Sequence, residues 1–163
     1  MLNAVDTLPG FRQNTPKLKI TGTVFKKDEK TPAKNVIIYI YHTNRQGIYE
    51  VRNPQTIWAR RHGYSRGWVK TGNDGQYTFY TYRPAAYPDG SEPEHIHITV
   101  KEPEKNEYYL DEYLFNDDPL LTPALKNRLP NRGGSGIVNP KVEDGILTIK
   151  RNLILGKNIP NYD

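Results

Sequence analysis

Residues Lys17 to Thr43 read KLKITGTVFKKDEKTPAKNVIIYIYHT. Two β-branched and aromatic runs, Lys17 to Phe25 and Asn35 to Thr43, flank a charged segment broken by Pro32. Such side chains suit a pleated, half-buried surface, and a proline among charges interrupts it, so the stretch reads as strand, turn, strand. The same texture recurs outward along the chain at Gln76 to Tyr82 (QYTFYTY), His95 to Lys101 (HIHITVK), Glu107 to Phe115 (EYYLDEYLF) and Gly145 to Leu155 (GILTIKRNLIL). Trp68 to Thr71 and Gln76 to Tyr82 flank Asn73-Asp74-Gly75, which predicts a hairpin because Asp-Gly supplies the positive φ angles of a tight turn. Only Pro119 to Leu129 has helical spacing, and Pro123 limits it to about three turns at most. Glu50 to Gly67 and Tyr87 to Glu94 read as loops without regular structure, the segments where function concentrates.

Many short strands imply an all-β, single-domain β-sandwich. The 163 residues suffice for one core, with 1–163 as one domain and 1–16 as an extended N-terminal segment. Twelve tyrosines against one methionine, with 13 glycines and 13 prolines, fit strands and turns better than helices. The absence of cysteine excludes disulfides, zinc–thiolate sites, iron–sulfur clusters and thiol nucleophiles. A net charge of +5 would suit a nucleic-acid partner, but Lys and Arg are interspersed with Asp and Glu. The one local concentration, Arg60, Arg61 and Arg66, fits a small anionic ligand or a solvated loop. No apolar run is long enough to span a bilayer, and residues 1–10 lack the apolar core of a secretory signal. The compartment stays open between a cytoplasmic protein and an exported bacterial one whose leader has been removed.

Alternation along a strand turns His95 and His97 to one face and Ile96 and Ile98 to the other, so the two imidazoles can grip one first-row metal ion. A histidine pair at this spacing is also compatible with simple hydrogen bonding. Tyr49 follows the turn at Gly47, and Tyr87 follows the strand end at Pro84. Tyr39, Tyr41, Tyr77 and Phe79 are expected to pack the sandwich and Trp58 to pack a loop; His42 and His62 are expected to hydrogen-bond rather than ligate.

From Gly22 to Pro119 the residues resemble the intradiol ring-cleavage dioxygenases, the family of protocatechuate 3,4-dioxygenase and catechol 1,2-dioxygenase. The resemblance is carried by GTVFKKDEKTPAKNVIIYIYHTN, by Asn44-x-x-Gly47-x-Tyr49, by RGWVKTGNDGQYTFYTYRPAAY from Arg66 to Tyr87, by PEHIHI from Pro93 to Ile98 and by YLFNDDPL from Tyr113 to Leu120. It implies an Fe(III) ion held by Tyr49, Tyr87, His95 and His97, with Tyr87 detaching to take a substrate proton. It also implies cleavage of a catechol-type aromatic diol with O2 between its hydroxyls, giving a muconate-type diacid. Two tyrosinates are hard anionic donors that suit a ferric ion. A homo-oligomer is compatible with the resemblance, although no long exposed apolar run supplies an interface.

One position departs from the pattern. Glu92 stands three residues before His95, where the family carries an arginine that stabilises substrate anion. Arg66, Arg83 or the Arg60 and Arg61 loop is then expected to supply the positive charge, or the choice of substrate differs. Two other readings stay open. One is a transthyretin-like or carboxypeptidase-regulatory-like β-sandwich binding module, which needs none of the four ligands. The other is a diverged iron-binding homologue without dioxygenase activity.

Overall fold

The computed structural model describes residues 1–52 and 56–163. The strands are β1 (Val5–Thr7), β2 (Lys17–Phe25), β3 (Ile37–Tyr41), β4 (Arg66–Lys70), β5 (Gln76–Tyr82), β6 (His95–Lys101), β7 (Tyr108–Tyr109), β8 (Tyr113–Phe115), β9 (Ile137–Val138), β10 (Lys141–Glu143), β11 (Ile146–Lys150) and β12 (Leu153–Ile154). Two short helices, α1 (Ile57–His62) and α2 (Pro123–Lys126), complete the described elements. The strands form two sheets, in the order β1-β5-β2-β11-β10 with β12 on β2, and β4-β3-β6-β8-β9 with β7 on β6. The sheets pack face to face as a β-sandwich.

The core lies between them. Leu18, Ile20, Val24, Phe79 and Ile149 from the first sheet meet Ile38, Ile40, Val69, Ile96, Ile98 and Val100 from the second, all fully or almost fully buried. Each such side chain contributes roughly 1.5–3 kcal/mol of burial. Committing Ile96, Ile98 and Val100 inward forces His95, His97 and Thr99 onto the outer face of β6.

Several expectations need correction. The segments around Asp74-Gly75 are not a hairpin: β4 pairs with β3, and β5 pairs with β2 and β1, so the turn joins the two sheets. Thr71 N donates to Val36 O in the second sheet, while Gly75 O accepts from Val24 N in the first. The positive φ of Gly75 serves a sandwich corner as well as it would a hairpin. Within Glu50 to Gly67, whose residues 53–55 lie outside the described residues, α1 forms. Thr56 caps it by accepting from Ala59 N at 3.0 Å, and Gly63 at φ 80° ends it. Tyr87 to Glu94 is irregular, as expected.

The run Glu107 to Phe115 is split into β7 and β8, because the buried Asp111 carboxylate turns in to accept from Asn131 N and Arg132 N at 2.9 and 3.0 Å. Gly145 to Leu155 is likewise split at buried Arg151, whose Nη1 donates to Asp111 O at 2.6 Å. Within the stated bound, the helical segment forms one turn, and in the extended segment 1–16 Val5–Thr7 joins β5 as a parallel strand. No helix among the described residues is long and apolar enough to cross a membrane.

Candidate metal centre

Tyr49 and Tyr87 reach one point from different sheets. After β3, Asn44 organises a turn in which its Oδ1 accepts from Gln46 N and Ile48 N at 2.9 and 3.1 Å. Gly47, at φ 76°, lies so close to the loop after β5 that a Cβ there would stand 2.0 Å from Ala86 O. Thr43 Oγ1 donates to Ala85 O at 2.7 Å, and Ala85 N donates to Asn44 O at 3.2 Å. The two tyrosine-bearing loops are thus laced together.

Their phenols close on the histidines. Tyr49 Oη lies 2.8 Å from Tyr87 Oη, 2.7 Å from His97 Nε2 and 3.5 Å from His95 Nε2, and Tyr87 Oη lies 3.1 Å from His95 Nε2. All four residues singled out in the sequence converge. His95 Nδ1 sits 2.8 Å from Pro93 O, so it carries the proton and donates, leaving Nε2 with a free lone pair toward the phenols. His97 Nδ1 faces Glu112 Oε1 at 3.6 Å, which presents Nε2 to the cluster in the same way. Burial is the largest influence on Tyr49, Tyr87 and His95: it pushes both phenols up and the imidazole down. The facing His97 imidazole is the largest influence on Glu112 and holds its carboxyl low.

Among the described residues no group of three or more His, Cys, Asp or Glu side chains could hold a metal ion, so a centre here depends on phenol oxygens.

The arginines stand elsewhere. Arg83 forks onto Asp117 at 3.0 and 2.7 Å, donates Nε to Glu94 Oε2 at 2.5 Å and lies 4.4 Å from the Phe115 ring. Arg66 shares the outer face but is one strand further out, opposite Tyr41, which is itself opposite His97. Its Nη1 donates to Gly63 O, and its guanidinium lies 5.3 Å from the Trp58 ring. Arg60 and Arg61 are exposed on α1. None of these contacts places a guanidinium against the four donors.

Tyr39 and Tyr41 do not pack the sandwich interior with Tyr77 and Phe79; they lie on the outer face of β3. Tyr41 stacks on His97 at 4.4 Å and on His62 at 4.0 Å, and Tyr39 Oη bonds His62 Nδ1 at 2.7 Å. Trp58 and Trp68 stack on Tyr39 at 5.3 and 4.9 Å. His42 is a buried hydrogen-bonding residue and His62 hydrogen-bonds too, as expected. Two residues at the centre were missed: Tyr41, whose alternation matches that of the claw, and Glu112, which only the pairing of β6 with β8 brings opposite His97.

No protein-family model matches the chain. The chain is 29% identical to catechol 1,2-dioxygenase 1 of Acinetobacter lwoffii, over 64% of its own length and 37% of that protein's. It spans well under half of that curated relative. The dioxygenase domain of a dioxygenase carbohydrate-binding protein fusion from Streptomyces sp. SirexAA-E superposes with a TM-score of 0.64 at 22% identity, covering 88% of this chain and 82% of that one. Hydroxyquinol 1,2-dioxygenase from Pseudomonas putida DLL-E4 gives 0.67 at 17% identity, covering 94% and 61%. In sequence and in its β-sandwich fold, the chain resembles the intradiol ring-cleavage dioxygenases.

Proposed function

We propose that the chain is a non-haem iron dioxygenase that cleaves an aromatic ortho-diol between its hydroxyls with O2, giving a muconate-type diacid. One observation carries the reading: the phenol oxygens of Tyr49 and Tyr87 and the Nε2 atoms of His95 and His97 meet at one point. First-row metal bonds of about 2.0–2.2 Å set neighbouring donors about 3 Å apart. The separations of 2.7 to 3.5 Å fit donors that share one ion. Two phenolates and two imidazoles are a hard donor set suited to Fe(III).

Bound by these four residues, Fe(III) would supply a Lewis acid that lowers the proton affinity of an ortho-diol and opens its ring to O2. The chain's own groups do the rest. Pro93 O and Glu112 fix the two imidazoles so that both Nε2 atoms face inward. Tyr87 stands on a loop, and its Oη is the atom at which a proton from the incoming diol can be held. Tyr41, stacked on His97, walls the centre on the β3 side.

Glu92 favours a second reading. Its Oε2 lies 3.8 Å from His95 Nε2, where a carboxylate opposes a catecholate, as in an iron-holding homologue without ring cleavage. A plain β-sandwich binding module needs none of the four donors and leaves their convergence unexplained. The deciding experiment is a visible spectrum with iron quantification, before and after adding catechol, on the protein and on Tyr49→Phe and Tyr87→Phe. A tyrosinate-to-iron band that shifts with catechol and weakens in both variants supports the reading, and turnover of a diol panel separates it from the second. A colourless protein that stays iron-free after anaerobic Fe(II) loading and reoxidation refutes it.

A further inference from the structure

A pocket of about 210 Å3 opens beside His95, between residues 91–93, β8 and the segment around α2. Its walls divide by chemistry. Leu114, Leu121, Leu125 and Leu129 supply its apolar lining, and Glu92 and Glu112 supply two carboxylates. Glu92 Oε2 is 3.8 Å from His95 Nε2, the nitrogen that faces the phenols, and Glu112 Oε1 is 3.6 Å from His97 Nδ1. Their side chains are 59% and 45% exposed, so both carboxylates are partly hydrated while lining the pocket.

No lysine or arginine lines this pocket among the described residues. The guanidinium of Arg83 is already matched by Glu94 and Asp117, and that of Arg66 is occupied by Gly63 O and Trp58. A chain of net charge +5 thus presents a locally anionic pocket beside His95, one of its four donors. The volume lies below the roughly 300–1,000 Å3 of pockets for drug-sized ligands, which suits one substituted aromatic ring.

We propose that this site selects ortho-diols carrying a cationic ammonium substituent, with Glu92 and Glu112 as its specificity-determining residues; the inference rests on the diol-cleaving reading above. The ring lies against the leucines, and the ammonium reaches the carboxylates. Each of these partly exposed carboxylates, screened by solvent, attracts an opposite charge by an amount worth a few-fold in affinity, so the two together are worth about tenfold, and a carboxylate-bearing diol is repelled by a similar factor. Selectivity therefore comes from repulsion of the anion as much as from attraction of the cation.

The test is equilibrium binding to iron-loaded protein, followed by calorimetry and by the visible band. The probes are three near-isosteric catechols carrying an aminoethyl, an ethyl or a carboxymethyl group. The expected order is aminoethyl tightest, about tenfold below ethyl in Kd, and carboxymethyl about tenfold weaker than ethyl. The spread should narrow in about 0.5 M salt, shrink in Glu92→Gln and in Glu112→Gln, and invert in Glu92→Arg. Ethylcatechol binding with the same Kd as the two charged catechols overturns the selectivity and leaves the diol reading standing. A spread that persists in both Gln variants overturns the assignment to these carboxylates. Failure of all three catechols to bind overturns the diol reading and this inference with it.

Discussion

The phenol oxygens of Tyr49 and Tyr87 lie 2.8 Å apart although their loops leave different sheets, Tyr49 after β3 and Tyr87 after β5. Their meeting depends on the contact between Gly47 and Ala86, since neither strand alone aims its tyrosine at the other. The centre is therefore a joint between the two sheets, held by Thr43, Asn44 and Ala85.

Gly47→Ala tests that joint. The residue has φ 76°, and an added Cβ would fall 2.0 Å from Ala86 O, a backbone atom that cannot swing aside. The loops must part, at a cost of about 1–3 kcal/mol. A drop of several degrees in Tm with at least tenfold weaker iron retention against a chelator is expected. Unchanged iron retention would show that the phenols find each other without this contact.

Glu112→Ala tests the backing of His97. With Oε1 3.6 Å from Nδ1, the carboxylate fixes the imidazole so that Nε2 faces the phenols. Such partners are worth about 10–100-fold in metal affinity. A chelator competition should show that loss, while the Tm of the iron-free protein moves little, because Glu112 is not part of the hydrophobic core. Glu112→Gln, which keeps a hydrogen-bond acceptor, should recover part of the affinity.

Arg83→Met separates structure from chemistry. The side chain is 14% exposed and neutralises both Glu94 and Asp117, so its removal leaves two carboxylates without their cation. A loss of about 2–4 kcal/mol is expected from chemical denaturation. The order of Kd values for charged catechols should stay as it was, because the guanidinium is engaged by Glu94 and Asp117. A changed order would support the part in substrate charge that the sequence suggests for Arg83.

The claw was legible because β6 is strictly alternating: Ile96, Ile98 and Val100 can only be core, so His95 and His97 can only face away from it. The two tyrosines were legible from motifs placed in order along the chain. β3 defeated the same logic. Ile38 and Ile40 on one face and Ile37, Tyr39 and Tyr41 on the other are all apolar or aromatic, so its pattern does not say which face is the interior. Sheet membership was equally hidden at Asp74-Gly75, since a tight turn fits a hairpin or a corner and only distant partners such as Val24 and Val36 decide. At six residues, α1 is too short to display a helical period. Glu112 required the pairing of β6 with β8, which no local pattern encodes.

His42 predicts how stability follows pH. Its ring is 1% exposed, with Nδ1 donating to Thr43 O at 2.7 Å and Nε2 accepting from Thr81 Oγ1 at 2.7 Å, so the neutral form is fully satisfied. Burial is the largest influence and pushes its pKa down from 6.5 to about 4, against the smaller upward effect of the Thr43 carbonyl. Between those two values the unfolded chain binds a proton that the folded chain refuses. Stability therefore rises with pH across that window: the His42 contribution is complete above the unfolded value, is lost as pH falls and levels off below the folded one. At about 1.4 kcal/mol per unit the loss is roughly 3 kcal/mol. Denaturation of the protein and of His42→Gln should be followed from pH 7.5 to 4. Replacing the imidazole by a neutral amide removes the titration, so the variant starts lower but falls less steeply through the window. Parallel curves would mean that His42 does not govern acid unfolding, whatever its burial.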